Sequence, residues 1–232
     1  MAGCVADASL PPPSPRCEAQ SMDIVIPIFP EFTALDAVGP YQVLRGLPGA
    51  KVVFAAAERG LVRSDDQVIG LHADIALSEI DAADVLVVPG GWGTRAAMRD
   101  EALLDWVRRI HQTTRYTTSV CTGSLILGAA GLLAGLDATT HWAQAKLLES
   151  TGARYTEERV VQRGKIVTAA GVSAGIDMAL TLAAQIAGED VAKSLQLMIE
   201  YDPQPPFDAG SPAKAGPAIV ALTGMVKESA AG

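Results

Sequence analysis

The chain has 232 residues, 49% of them hydrophobic, which is enough to bury a sizeable core and suits one large α/β domain. A net charge of −8, with no long block of like charge, argues against a nucleic-acid surface. No apolar run is long enough to span a membrane. The three cysteines, Cys4, Cys17 and Cys121, form no C-x-x-C pair. A disulfide framework and a cysteine-held metal are therefore not expected, and a reducing cytoplasm fits best.

Residues 1–21 carry Pro11, Pro12, Pro13 and Pro15 without an amphipathic period, and read as a flexible tail that lacks the apolar core of a secretory signal. Met22 stands just before the first strand-like run and reads as an alternative start of the protein. The domain is expected over 22–232, with an extension from about 201. Met22–Phe29 reads as a buried strand, and a helix starts near Leu35 with Asp36 as its N-cap or in its first turn. Lys51–Ala57 is a second strand. The irregular stretch 59–77 holds turn signals and short strands near 61–63 and 71–76.

Ala83–Val88 is an apolar run interrupted only by Asp84 and closed by Pro89-Gly90-Gly91, the look of a parallel strand buried on both faces. Helices are expected over about 94–98 and 101–112, the second with Leu103, Leu104, Val107 and Ile110 at helical spacing. A strand over 115–120 then leads into Cys121 and the apolar run Leu125–Ala130. A short β-like piece at 138–142, a helix near 143–150, and two strands (Tyr155–Val161, Lys165–Ala170) joined by a turn at 162–164 come next. A helix over 174–187 is expected with Ser173 as cap, then another near 189–200. The prolines of 201–212 exclude helix there, and a last helix closes the chain near 213–228.

Strands alternating with helices predict a mainly parallel sheet covered on both faces, with sites at the carboxyl ends of the strands. Three such ends carry candidate chemistry: Asp36, Gly90-Gly91 and Cys121. Ser119-x-Cys121-x-Gly123 has the small-x-nucleophile-x-small spacing of a sharp strand-to-helix turn. A cysteine at that turn is either a nucleophile, held as thiolate by the helix N-terminus, or a buried structural thiol. Asp36 is the candidate proton carrier, its pKa raised by burial and by the nearby negative charge so that it donates a hydrogen bond. The N–H groups of Gly91 and Thr122, with the Thr122 hydroxyl, are candidate donors to an anion. His141 reads as a positioned, hydrogen-bonded residue rather than a direct partner of the thiol. Trp92 lines the pocket rim or simply packs, and His72 and His111 read as ordinary surface or edge residues.

Leu35-Asp36-x-x-Gly39-Pro40, Pro89-Gly90-Gly91, Ser119-Val120-Cys121-Thr122-Gly123, Ala138-Thr139-Thr140-His141-Trp142 and the proline-rich 201–212 segment resemble the ThiJ/PfpI superfamily, and within it the isocyanide hydratases. The resemblance implies a flavodoxin-like (Rossmann-like) three-layer α/β sandwich of the class I glutamine amidotransferase type, and a homodimer. It also implies hydration of an isocyanide to an N-substituted formamide, with no metal and no organic cofactor. By the same resemblance Cys121 attacks the isocyanide carbon, Asp36 is general acid and base, and Thr122 tunes the cysteine; Gly90, Gly91, Trp92 and His141 would face substrate or oxyanion. Thr122 replaces the His that follows the cysteine in protease-like members, and Asp36 stands where many glyoxalase-like members carry Glu. A glyoxalase or deglycase activity is one alternative. A sensor domain like the N-terminal part of AraC-type regulators is another, although the single helix expected after Pro212 and its few Lys or Arg do not make a helix-turn-helix pair.

Overall fold

The computed structural model describes residues 21–225. Apart from Ser21, the tail expected over 1–21 lies outside the described residues, as do Cys4, Cys17 and the end of the helix expected to reach 228. In chain order the elements are β1 (Met22–Pro27), α1 (Ala34–Leu44), β2 (Ala50–Ala56), β3 (Gly60–Arg63), β4 (Gly70–Ala73), β5 (Ile75–Ala76) and β6 (Val85–Val88). There follow α2 (Thr94–Ala97), α3 (Glu101–Thr113), β7 (Tyr116–Val120), α4 (Gly123–Ala129), β8 (Asp137–Ala138), α5 (Ala145–Glu149), β9 (Arg154–Tyr155), β10 (Val160–Arg163) and β11 (Ile166–Ala169). The last helices are α6 (Ala174–Ala187), α7 (Glu189–Met198) and α8 (Pro212–Leu222).

Seven strands form the main sheet in the order β10-β11-β7-β6-β1-β2-β5, all parallel to their neighbours except the β10–β11 hairpin. Every residue of β6 and β11 is buried, so neither face of the sheet's middle meets water. Helices α1, α6 and α7 pack on one another, and α4 packs with α2, α3 and α5. The apolar stripe Leu103, Leu104, Val107 and Ile110 is buried as its spacing predicts, and Asp100 caps α3 by accepting from the Leu103 N–H at 3.2 Å. The three-layer α/β architecture is the one the sequence predicts.

Local expectations shift in four places. The strand expected over Tyr155–Val161 is broken, because Tyr155 pairs with Ala138 in a separate two-stranded sheet and the main sheet is joined only from Val160 onward. Only Asp137–Ala138 of the β-like 138–142 piece pairs as strand, because Thr139 and Thr140 leave the ladder to bond side chains and the cysteine elbow. The β10–β11 turn falls at Gly164-Lys165, with Gly164 at φ 61°, so Gln162 and Arg163 belong to the strand. Ser173 sits at the N-cap of α6 but makes no cap hydrogen bond; its hydroxyl accepts from Arg159 instead.

Chain order decides where the site falls. After β1 the chain builds β2 on one side, then crosses to place β6 and β7 on the other. Neighbouring strands that diverge in this way leave a crevice at their carboxyl ends. Asp36 follows β1, Gly90-Gly91 follow β6, Cys121 follows β7 and Val172 follows β11, which are four adjacent strands.

Candidate active site

Cys121 ends β7 with φ 55°, a left-handed conformation that costs a residue with a β-carbon about 1–2 kcal/mol. The surroundings hold it there. Its N–H donates to the carbonyls of Ala169 and Ala170, and its carbonyl accepts from the hydroxyls of Ser124 and Thr140, each at 3.1 Å. Thr140 is thus what the T-T-H-W stretch contributes to the elbow. A β-carbon at Gly123 would overlap the Val88 carbonyl oxygen, so the chain turns into α4 only with glycine there. Gly123→Ala is expected to cost about 3 kcal/mol and to lower the melting temperature by roughly 5–10 °C. A scanning-calorimetry trace superimposable on wild type would contradict this.

The thiol lines a cavity of about 210 Å³ together with Gly91, Thr122, Trp92 and His141. Thr33, Asp65, Arg95, Gln144, Val172 and Met225 complete the wall. Asp36 and Gly90 lie behind it. Asp36 is the third residue of α1, in its first turn rather than at its N-cap, which is Thr33. Its carboxyl is fully buried, and Oδ2 accepts from the Gly90 N–H at 2.9 Å. Oδ1 has no hydrogen-bond partner of ordinary geometry. The thiol and the carboxyl are nonetheless close enough that each perturbs the other's titration.

Two forces compete on Asp36. The helix N-terminus and the Gly90 N–H favour the carboxylate by at most about 2 kcal/mol each. Burial outweighs them and lifts the carboxyl from its ordinary value of 3.8 to about 7, with the charge of Asp65 adding a little in the same direction. For Cys121 the helix-end thiolate expected from the sequence is corrected. Burial first, then the charge of Asp36, push the thiol well above its ordinary range, and the N–H groups of Val172 and Thr122 only partly offset them. A helix of seven residues supplies too weak a dipole to reverse desolvation of a group 5% exposed. At neutral pH the resting pair therefore holds its proton on sulfur, facing a carboxyl near its midpoint.

The glycine N–H groups expected to face an anion are already committed. Gly90 serves Asp36, and the Gly91 N–H donates to Thr122 Oγ1 at 2.9 Å. The donors left near sulfur are the N–H groups of Thr122 and Val172. Thr122 Oγ1 also lies 2.9 Å from Thr94 Oγ1, so its side chain braces the Gly91 turn. His141 lines the cavity without a hydrogen bond to Cys121. Its Nδ1 accepts from Ala143 N–H at 3.3 Å, and burial lowers its pKa, which keeps the ring neutral at pH 7. Trp92 is at the rim, 43% exposed, with the Arg95 guanidinium 4.8 Å above its ring. His72 is exposed beside Asp74, whereas His111, expected as a surface or edge residue, is half-buried and bonded to Thr117. Among the described residues no cluster of three or more His, Cys, Asp or Glu could hold a metal.

Sequence reasoning missed Val172, Thr140, Asp65 and Met225. The first carried a usable signal, since Ala170-Gly171-Val172 closes a strand as Pro89-Gly90-Gly91 does.

Residues 22–185 match the DJ-1/PfpI family. The chain belongs to that family. Among its relatives is the isonitrile hydratase of Pseudomonas putida, 46% identical over 193 residues that span 83% of this chain and 84% of that enzyme. A crystal structure of a ThiJ/PfpI family protein from Pseudomonas syringae superposes with a TM-score of 0.85 at 38% identity, covering 96% of this chain and 93% of that one. The transcriptional regulator CdhR of Pseudomonas aeruginosa is 32% identical over 129 residues, 53% of this chain and 37% of the regulator. The family assignment expected from the five motifs is thereby shown, and this DJ-1/PfpI chain is a homologue of isonitrile hydratase.

Proposed function

We propose that this DJ-1/PfpI protein hydrates isocyanides (isonitriles) to N-substituted formamides through a covalent adduct on Cys121. The carrying observation is a strained, buried cysteine whose titration is coupled to that of a buried carboxyl, with threonine where a protease-like histidine would stand. Near-full-length similarity to an isonitrile hydratase supports the substrate class.

In the proposed sequence the Cys121 proton passes to the Asp36 carboxylate as sulfur bonds to the terminal isocyanide carbon. Asp36 returns that proton to the same carbon, giving the thioimidate R–N=CH–S–Cys121. Water then adds to this carbon. Its proton moves to Asp36, and nitrogen takes one in exchange. The tetrahedral adduct R–NH–CH(OH)–S–Cys121 loses its hydroxyl proton to Asp36, the C–S bond breaks, and sulfur recovers the proton as R–NH–CHO leaves. The Thr122 and Val172 N–H groups carry the charge that collects on sulfur at each end of the cycle. The neutral His141 ring and Trp92 shape the walls around the substituent R. Only the singly protonated pair can begin, so kcat/KM falls as the pH drops through about 7 and Asp36 takes up a proton.

A free nucleophilic thiol suits the cytoplasm, and no helix among the described residues is long and apolar enough to cross a membrane. The homodimer expected from the family resemblance has support in exposed Leu61, Val68 and Ile69 of the β3–β4 hairpin. The test is a substrate panel. Cyclohexyl isocyanide and phenyl isocyanide should each yield the matching formamide by NMR, and methylglyoxal should be untouched. Turnover of methylglyoxal with both isocyanides inert would replace the hydratase by a glyoxalase, and inertness to all three would favour a sensor.

A further inference from the structure

The segment after α7 takes no part in the chemistry above. Prolines 203, 205 and 206 keep it out of helix as far as Ser211, and α8 follows without one buried residue. Yet this strap is tied to the site twice. Residues of α8, among them Ala215, Ile219 and Val220, line a small cleft against Trp142, whose ring lies 5.4 Å from that of His141 in the catalytic wall. At the end of α8, Gly224 adopts φ 72°, the left-handed conformation that stops a helix and reverses the chain. Leu222, Thr223 and Gly224 are exposed, while Met225 turns in, is half-buried and lines the cavity that holds Cys121.

The cavity is small. About 210 Å³ exceeds the ~150 Å³ that accommodates benzene but falls short of the roughly 300 Å³ at which drug-sized ligands begin. A methionine in its wall is unbranched and polarizable, able to mould to different apolar shapes without opening the space.

We propose that Met225, held inward by the C-terminal strap, sets the size limit on the group that reaches Cys121, so that isocyanides bearing one small apolar or aromatic ring are accepted and fused-ring ones are refused. The substrate class rests on the hydratase reading; the wall assignment does not, and the experiment separates them. Full-length wild type, Met225→Ala and Met225→Trp are compared in two assays. One measures kcat/KM for cyclohexyl isocyanide and 2-naphthyl isocyanide. The other follows, by peptide mass, alkylation of Cys121 by iodoacetamide and by its N-(2-naphthyl) derivative. In Met225→Ala the naphthyl-to-cyclohexyl ratio of kcat/KM should rise about tenfold, the naphthyl-to-plain alkylation ratio rising with it, and Met225→Trp should move both ratios the other way. Ratios within twofold of wild type in both assays would overturn the proposal, as would alkylation ratios that shift while the kcat/KM ratio stays fixed. Shifted alkylation ratios with no isocyanide turned over by wild type would uphold the wall and overturn the hydratase reading.

Discussion

Asp36→Asn is expected to give a protein that is more stable than wild type at pH 8 and nearly inactive. The two effects share one cause. A fully buried carboxyl that titrates near 7 instead of 3.8 binds a proton in the folded state over a pH range where the unfolded chain has released it. Its contribution to stability is complete below about 3.8 and is lost as the pH rises to about 7. At pH 8 wild type therefore carries a folding penalty on the order of 4 kcal/mol, which asparagine removes while its side-chain oxygen still accepts from Gly90. Urea titrations at pH 8 and pH 4 should show the variant ahead at the first and level at the second. A gap that did not change with pH would mean burial of charge is not what perturbs the site. In the assay, loss of a group that moves the proton in every step should cost roughly 10²–10⁴-fold in kcat, and the fall in wild-type activity below pH 7 should vanish from the residual rate.

Cys121→Ala is expected to fold normally and to lose turnover. Alanine keeps a β-carbon at φ 55°, so the elbow's strain and its four backbone hydrogen bonds remain, and the fold should be unaffected by circular dichroism. Without sulfur the covalent path is gone and turnover should fall by roughly 10⁴-fold or more, to the solution background. A residual rate within tenfold of wild type would show that the cavity works by binding and Asp36 alone. Ranking Cys121 above Asp36 follows from their positions: the thiol lines the cavity, whereas the carboxyl lies behind it.

The central strands and the elbow were legible because they are written locally. Val85–Val88 is an unbroken apolar run, and Ser119, Cys121 and Gly123 have a spacing whose steric reason is the Val88 carbonyl beside Gly123. What could not be read depends on what the fold brings together. Asp36 and Cys121 are 85 positions apart, and whether burial or the helix end governs the thiol is decided by how completely the walls exclude water. Both a helix-end thiolate and a buried thiol fit the local pattern, and only the packed walls decide between them. The commitment of the Gly90 and Gly91 N–H groups was equally hidden, since each partner lies more than 30 positions away. Val172 enters only because β11 lies beside β7, and Met225 only because a left-handed glycine ends α8 over the cavity.

The central claim is that an isocyanide becomes covalently joined to Cys121. Mixing wild type with cyclohexyl isocyanide, quenching with acid within milliseconds to seconds and weighing the proteolytic peptides tests it directly. The Cys121 peptide should gain the mass of one intact isocyanide, transiently and in step with formamide release, and no such gain should appear in Cys121→Ala. Formamide released at the wild-type rate by Cys121→Ala, or an adduct found only on another residue, would contradict it.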